Sequence, residues 1–157
     1  MKLNNDGIEL LHKFEGLKLE AYECPASLKL PEEKKFWTIG YGNTRYEDGS
    51  LVKKGDKITK ERAESLFTFI TEDFSKNVIK RLKKFLNENQ FSALVSFAYN
   101  VGIGNFSIST LLKLVNEDPS NLEIRNQFMR WNKIGGTPSN GLTNRRKAEA
   151  DLYFKNI

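Results

Sequence analysis

Hydrophobic positions in the first fifteen residues recur at the spacing of an α-helix. Asn5 or Asp6 precedes them as an N-cap, and Gly16 is typical of a helix end. The pattern therefore predicts a helix that ends at Glu15. The apolar residues that share one face of this helix are Ile8, Leu11 and Phe14.

The next segment changes to a pattern typical of strands. The stretches "LEAYEC" and "FWTIGYGNT" are rich in aromatic and β-branched residues, and turn signals follow at residues 48–49 and 54–56. This pattern predicts a small antiparallel sheet within the first sixty residues. The residues that punctuate it are Pro25, Pro31, Gly40 and Gly42.

Helical spacing returns at Thr59, a predicted N-cap, and continues as a long amphipathic helix. Asn87 and Gln90 then have capping-box spacing before an almost wholly apolar stretch, which predicts a buried helix. The predicted fold class is α+β, mainly α, with the sheet confined to the N-terminal third. Shorter helices are predicted in "STLLKLVNED", "NLEIRNQFMRWN" and "LTNRRKAEADLYFK".

Length and composition describe one globular protein. The 157 residues suffice for a single domain with a substantial core, and the chain is 39% hydrophobic and 29% charged, with both signs interspersed. No apolar run approaches the roughly 20 residues of a transmembrane helix. The N-terminal residues lack the pattern of a secretory signal, so we expect no export by that route.

Cysteine and histidine usage excludes several kinds of site. Cys24 is the only cysteine, which excludes an internal disulfide, and together with the only histidine, His12, it cannot form a Cys₄, Cys₂His₂ or His₃ zinc site. We expect no metal or other cofactor. The formal net charge of +5 favours acidic partners but does not choose among nucleic acid, lipid headgroups and wall polymers.

Glu15 stands at an unusual place for a carboxylate. The carbonyl groups at a helix C-terminus disfavour a negative charge by roughly 0.3–1 kcal/mol, which favours the protonated form of the side chain. A proton donor needs that form. A solvated Glu before a Gly is the alternative interpretation.

Seven segments follow in order over nearly the whole chain: "FEGLKLEAYECPA", "WTIGYGNT", "KKGDKIT", "QFSALVSFAYNVG", "STLLKL", "FMRWN" and "GLTNRRKAEADLY". Together they resemble the phage-type lysozymes, the endolysins of glycoside hydrolase family 24. The resemblance implies a lysozyme-like single domain, residues 1–157, in which a long helix joins a small N-terminal β region to a larger helical lobe. It places the N-terminal lobe at about 14–60, the linking helix at about 59–82, and the helical lobe at about 83–157 with the first helix packed on it.

The resemblance also implies a reaction, the hydrolysis of the β-1,4 bond between N-acetylmuramic acid and N-acetylglucosamine in peptidoglycan. Glu15 is then the general acid, and Thr38 helps to hold the attacking water. Cys24 follows Glu15 at the family spacing and takes the place that Asp has in other members. A neutral thiol stabilises charge less well than a carboxylate does, and a small structural cysteine is the alternative.

Two departures from the family pattern fall near these residues. Thirteen residues separate Cys24 from Thr38, where the family has five, and Asn43 stands where many members have His. We expect the extra residues, "SLKLPEEKK", to lengthen a loop beside the cleft and leave the strand register unchanged.

The resemblance further implies a monomeric enzyme that lyses bacteria, with peptidoglycan as its partner and neither nucleic acid nor stable membrane insertion. We expect it to stay in the host cytoplasm until it is released to the wall. The residues implied to contact the substrate are Tyr41, Asn43, Tyr99, Asn100 and Arg145.

Two other functions remain open from the sequence. In the first, Cys24 is the nucleophile and His12 the base of a wall amidase or endopeptidase. In the second, the chain binds the wall without cleaving it, and a cationic patch contributes to the affinity. The patch consists of Lys76, Lys80, Arg81, Lys83 and Lys84.

Overall fold

The computed structural model describes residues 1–24 and 27–156. The predicted turn at Pro25 lies outside them, as does Ala26 of the "CPA" motif. The chain forms two compact units, which we call the β unit, His12–Ile70, and the helical unit, Met1–Leu11 with Thr71–Ile157.

The described residues form helices and short strands in the mainly helical α+β class that the sequence predicts. A turn of 3-10 helix, Glu32–Lys34, lies in the connection between the first two strands. The strands are β1 (Lys18–Glu23), β2 (Trp37–Gly40), β3 (Lys133–Ile134) and β4 (Thr137–Pro138). The helices are α1 (Asn5–Glu15), α2 (Lys60–Ile79), α3 (Glu88–Val101), α4 (Ile103–Ile108), α5 (Thr110–Glu117), α6 (Glu123–Met129) and α7 (Asn140–Tyr153).

Helix α1 ends where the sequence predicts and begins slightly earlier. The N–H of Gly7 donates to Asn4 Oδ1 at 3.0 Å, so Asn4 caps the helix and the predicted cap at Asn5 or Asp6 is wrong. Gly16 has φ +66° and donates to the carbonyl of His12, which ends the helix at Glu15.

The β1–β2 hairpin is antiparallel, as predicted, and pairs Tyr22 with Thr38. Beyond the last pair, the N–H of Cys24 donates to the carbonyl of Phe36 at 3.0 Å. The exposed residues 28–34 of the long connection therefore project beyond the hairpin without interrupting the pairing at Thr38.

The β unit has its own small core, and α2 begins beside it. The N–H of Arg62 donates to Thr59 Oγ1 at 3.1 Å, which confirms Thr59 as the N-cap. The helix ends at Ile79, three residues before the predicted end, because the N–H groups of Arg81 and Leu82 turn back to carbonyls three residues earlier. The buried residues of this core are Ala21, Ile39, Val52 and Leu66.

The helical unit contains the larger core, centred on the buried helix α3. Asn87 and Gln90 form the predicted capping box at its start. A Cβ on Gly7 would lie 2.6 Å from the Cβ of Ser92, so glycine lets α1 pack closely against α3. The sequence predicts a sheet confined to the N-terminal third. The pair β3–β4, which lies near the C-terminus, shows that this part of the prediction is wrong. Among the described residues, no helix is long and apolar enough to span a membrane.

Candidate active site

Glu15 and Gly42 make a close contact in the β unit. Glu15 is the last residue of α1, and an ideal Cβ on Gly42 would lie 2.5 Å from its Oε2 atom. Gly42 also has φ +77°, a conformation that favours glycine. The turn after β2 therefore places bare backbone against the carboxylate of Glu15.

Tyr22 connects the three residues predicted to be catalytic. Burial raises the pKa of its hydroxyl, and electrostatic interaction with Glu15 and Cys24 raises it further. The nearby hydroxyl of Thr38 acts in the opposite direction, although Thr38 Oγ1 makes no hydrogen bond within the described residues. Glu15 and Cys24 are therefore within electrostatic range of this hydroxyl group, and Thr38 faces Tyr22 across the hairpin.

The strand geometry explains this grouping. Tyr22 and Cys24 are two positions apart along the chain, so their side chains leave the same face of the hairpin, and Thr38 is the cross-strand partner of Tyr22. Thr38 is buried, whereas Cys24 is half-buried and carries a free thiol. The sequence reasoning missed Tyr22, although the alternation along "EAYEC" could have indicated it.

A second cluster holds the turn that contacts Glu15. The buried Tyr41, next to Gly42, donates its hydroxyl hydrogen to Glu64 Oε1, and burial raises its pKa to about 12. Its ring stacks on His12 with the centroids 4.4 Å apart. His12 Nε2 lies 3.6 Å from Glu64 Oε2. Residues of α1, α2 and the turn thus meet here, and sequence reasoning had not singled out Glu64.

The structure places Tyr41 and Asn43 inside the β unit. Asn43 is buried, and its backbone N–H and C=O both pair with Ile39. Its Oδ1 would lie 3.3 Å from a Cβ on Gly40, so the amide packs within the turn. Direct contact of Tyr41 and Asn43 with substrate stays a prediction, and their burial favours a role in holding the turn.

The three predicted substrate contacts of the helical unit differ in exposure. Asn100 is exposed, and Tyr99 is half-buried, with its ring centroid 5.3 Å from that of Phe74. Arg145 is buried, and its guanidinium donates to Glu149 Oε1 at 3.1 Å and to the carbonyl of Ser96 at 3.2 Å. These two contacts of Arg145 lie within its own unit, and its contact with substrate stays a prediction.

Glu149 gathers a buried ionic cluster around Arg145. Arg146 Nε lies 2.8 Å from Glu149 Oε2, and the hydroxyl of Ser96 donates to Glu149 Oε1 at 2.7 Å. Burial raises the pKa of the Glu149 carboxyl against the pull of the two guanidinium groups. These contacts join α7 to α3 within the helical unit.

Comparison with known proteins gives consistent relatives. The family model described as phage lysozyme matches residues 12–149. The endolysins of Bacillus phages PZA and B103 are 43% and 41% identical to this chain, each over 98% of it. The chain spans 55% and 54% of the lengths of those two relatives.

A solved structure extends the likeness to the fold. The endolysin from Escherichia coli O157:H7 phage FAHEc1 superposes with a TM-score of 0.85 at 38% identity, and the match covers 100% of this chain and 96% of that one. The sequence similarity and the shared fold agree: the chain belongs to the phage lysozyme family.

Proposed function

We propose that this chain is a muramidase that hydrolyses the β-1,4 bond between N-acetylmuramic acid and N-acetylglucosamine in peptidoglycan and so causes bacterial lysis. Family membership supports this reaction. We base the assignment of the site on the carboxylate of Glu15, which lies against Gly42 and close to Tyr22. A glycosidase needs a fixed carboxyl group with room for a sugar oxygen on one side.

The side chains around Tyr22 suit complementary roles. Glu15 donates its proton to the glycosidic oxygen as the bond to the leaving sugar breaks. Thr38 offers a hydroxyl to the attacking water, since its buried Oγ1 has no hydrogen-bond partner among the described residues. Cys24 stands beside the developing positive charge of the sugar, where its thiolate would be the stabilising form.

The role of Glu15 is tested by the release of reducing ends from purified peptidoglycan. We expect Glu15→Gln to lose at least about a hundredfold in activity, because the amide has no proton to donate. Glu9→Gln is the matched control, since Glu9 is an exposed carboxylate on the same helix. Wild-type activity in folded Glu15→Gln would contradict the proposal.

Cys24 is tested by two replacements in the same assay. If Cys24 occupies the place of a carboxylate, Cys24→Asp keeps or raises activity and Cys24→Ala lowers it. Equal activity in all three proteins would assign a structural role to the thiol. Loss of activity in His12→Ala and Cys24→Asp, with Glu15→Gln active, would instead indicate a Cys–His hydrolase.

We also propose that the enzyme acts as a monomer and stays in the host cytoplasm until it is released to the wall. The net charge of +5 supports capture by the anionic polymers of the envelope. Fractionation of producing cells before and after membrane permeabilisation tests the location, and sedimentation velocity tests the monomer. Enzyme found outside intact cells would contradict the proposed route.

A further inference from the structure

A cationic pocket lies in the helical unit, apart from the residues of the candidate active site. Its volume is about 460 Å³, and its walls come from residues 80–83 after α2 and from residues 107–116, which include the start of α5. None of its ten lining residues is acidic, and four are cationic: Lys80, Arg81, Lys83 and Lys113.

Hydrogen bonds hold the walls of this pocket in place. Arg81 donates through Nε to the hydroxyl of Ser107 and through Nη1 to the carbonyl of Asn77 at 2.8 Å. Asn116 accepts from the N–H of Lys83 at 2.8 Å and donates to the carbonyl of Arg81 at 2.9 Å. The guanidinium and the neighbouring backbone are therefore positioned before any ligand arrives.

The segments that form the pocket are rich in cations, and the acidic residues that flank them in the sequence, Asp73, Glu88, Glu117 and Asp118, do not line it. Residues 74–87 contain five Lys or Arg and no Asp or Glu, and residues 89–116 contain one Lys and no acid. Folding brings these cations together against their mutual repulsion, and an anion between them would relieve it. Lysine and arginine with the hydroxyl of Thr110 suit the oxygens of a phosphate group.

Two apolar side chains beside these cations indicate the source of that phosphate. Phe85 and Ile108 have the highest relative exposures of the large apolar residues in the described part of the chain, at 101% and 82%. Ile108 lines the pocket, and Phe85 follows Lys83 and Lys84 directly. Exposed apolar side chains among lysines are typical of surfaces that lie on anionic lipid. A soluble phosphate has no apolar part that could contact such side chains.

We propose that this pocket binds the phosphate headgroup of an anionic phospholipid, while Phe85 and Ile108 enter the interfacial layer of the membrane. The helical unit then docks on the membrane surface without spanning it. This inference stands independently of the proposed hydrolysis, because none of its residues belongs to the candidate active site.

Co-sedimentation with vesicles tests the docking. We expect the protein to bind vesicles of phosphatidylglycerol and phosphatidylcholine, and to dissociate from them as the salt concentration rises. It should not bind vesicles of phosphatidylcholine alone. The double variant Lys80→Gln/Lys113→Gln should bind about thirtyfold more weakly. Lys29→Gln/Lys34→Gln is the matched control, because it removes two exposed lysines of the β unit and leaves the same net charge. Equal losses in the two variants would overturn the proposal, since they would show binding by net charge alone.

A second pair of variants tests the choice of lipid over other phosphates. Phe85→Ser/Ile108→Ser should weaken vesicle binding by a factor that salt does not change, because it removes apolar contact only. Calorimetric titration with glycerol phosphate should show much weaker binding than vesicles do. Binding of glycerol phosphate as tight as that of vesicles, or wild-type vesicle binding in Phe85→Ser/Ile108→Ser, would overturn the lipid assignment. Circular dichroism checks that each variant is folded. If Lys80→Gln/Lys113→Gln does not fold, the single variant Lys113→Gln replaces it in the vesicle assay, because Lys113 is exposed.

Discussion

Gly42 and Gly49 form a matched pair for testing the contact with Glu15. Both have positive φ, +77° and +83°, so Ala at either position should lower the free energy of unfolding by about 1–2 kcal/mol. At Gly42 the new Cβ would also displace the carboxylate of Glu15, whereas at Gly49 nothing lies within 4 Å. We expect Gly42→Ala to lose at least about tenfold in peptidoglycan hydrolysis. Urea unfolding and the reducing-end assay measure both effects, and equal activity in the two variants would contradict the role of the contact.

Tyr41 and Tyr46 allow a similar comparison for the cluster that holds this turn. Each hydroxyl donates to a carboxylate of the β unit, Tyr41 to Glu64 and Tyr46 to Asp56. Replacement of either by Phe should lower stability by about 1–3 kcal/mol, because the partner loses a donor. Only Tyr41 adjoins Gly42, so only Tyr41→Phe should lower kcat, with KM nearly unchanged. Steady-state kinetics on soluble peptidoglycan fragments distinguishes the two, and a lowered kcat in Tyr46→Phe alone would contradict this assignment.

The residues of the candidate site differ in how far the sequence predicts them. Glu15 can be identified from the sequence because a carboxylate at the C-terminus of a helix is electrostatically unfavourable there. Tyr22 follows from strand alternation once the register is known, and the register depends on pairing across the long connection. Glu64 is not predictable in this way, because its contacts with His12 and Tyr41 join three separate elements.

At the scale of elements, the sequence predicts helix caps well and very short strands and helices poorly. The caps at Thr59 and Asn87 were predictable because their side chains bond to backbone only three residues away. The pair β3–β4 was not predictable, because a strand of two residues is too short to show the alternation of apolar and polar side chains. Helix α4, Ile103–Ile108, is likewise only six residues long and too short to show helical periodicity.

Helix α7 carries a buried and an exposed ion pair two residues apart. Glu149 is fully buried against Arg145 and Arg146, whereas Asp151 pairs with Arg125 at the surface. Glu149→Ala should lower the free energy of unfolding by about 3–5 kcal/mol, because two guanidinium groups stay buried without their carboxylate. Asp151→Ala should change it by less than about 1 kcal/mol. Urea denaturation compares the two variants, and a small effect at Glu149 would mean that solvent or another acceptor replaces the carboxylate.

At the scale of the whole molecule, tyrosine burial limits stability in alkali. Burial raises the pKa of both Tyr41 and Tyr46 to about 12, above the ordinary value of about 10. The folded state favours the neutral form, so this contribution is fully present below about pH 10 and is lost as the pH rises through about 12. The midpoint of thermal unfolding should fall over this interval.

Absorbance at 295 nm follows the ionisation of these tyrosines directly. We expect the titration of the folded protein to lie above that in denaturant, and Tyr41→Phe/Tyr46→Phe to reduce the amplitude near pH 12. The same variant should lose less stability between about pH 10 and pH 12 than wild type does. Identical titration curves for the folded and denatured protein would contradict the burial of these hydroxyls.

The residues of the two units leave the ribosome in a different order during synthesis. The β unit is continuous, so all of it has emerged from the ribosome before the second part of the helical unit begins. The first eleven residues emerge earlier still, yet Asn4 also bonds to the distant Asn89 and Ser92, and Asp6 pairs with Lys155. Completing the helical unit therefore requires closure of a loop of 59 residues, 12–70. Its folding rate should be governed by this distant contact, and be slower than a purely local helical bundle would allow.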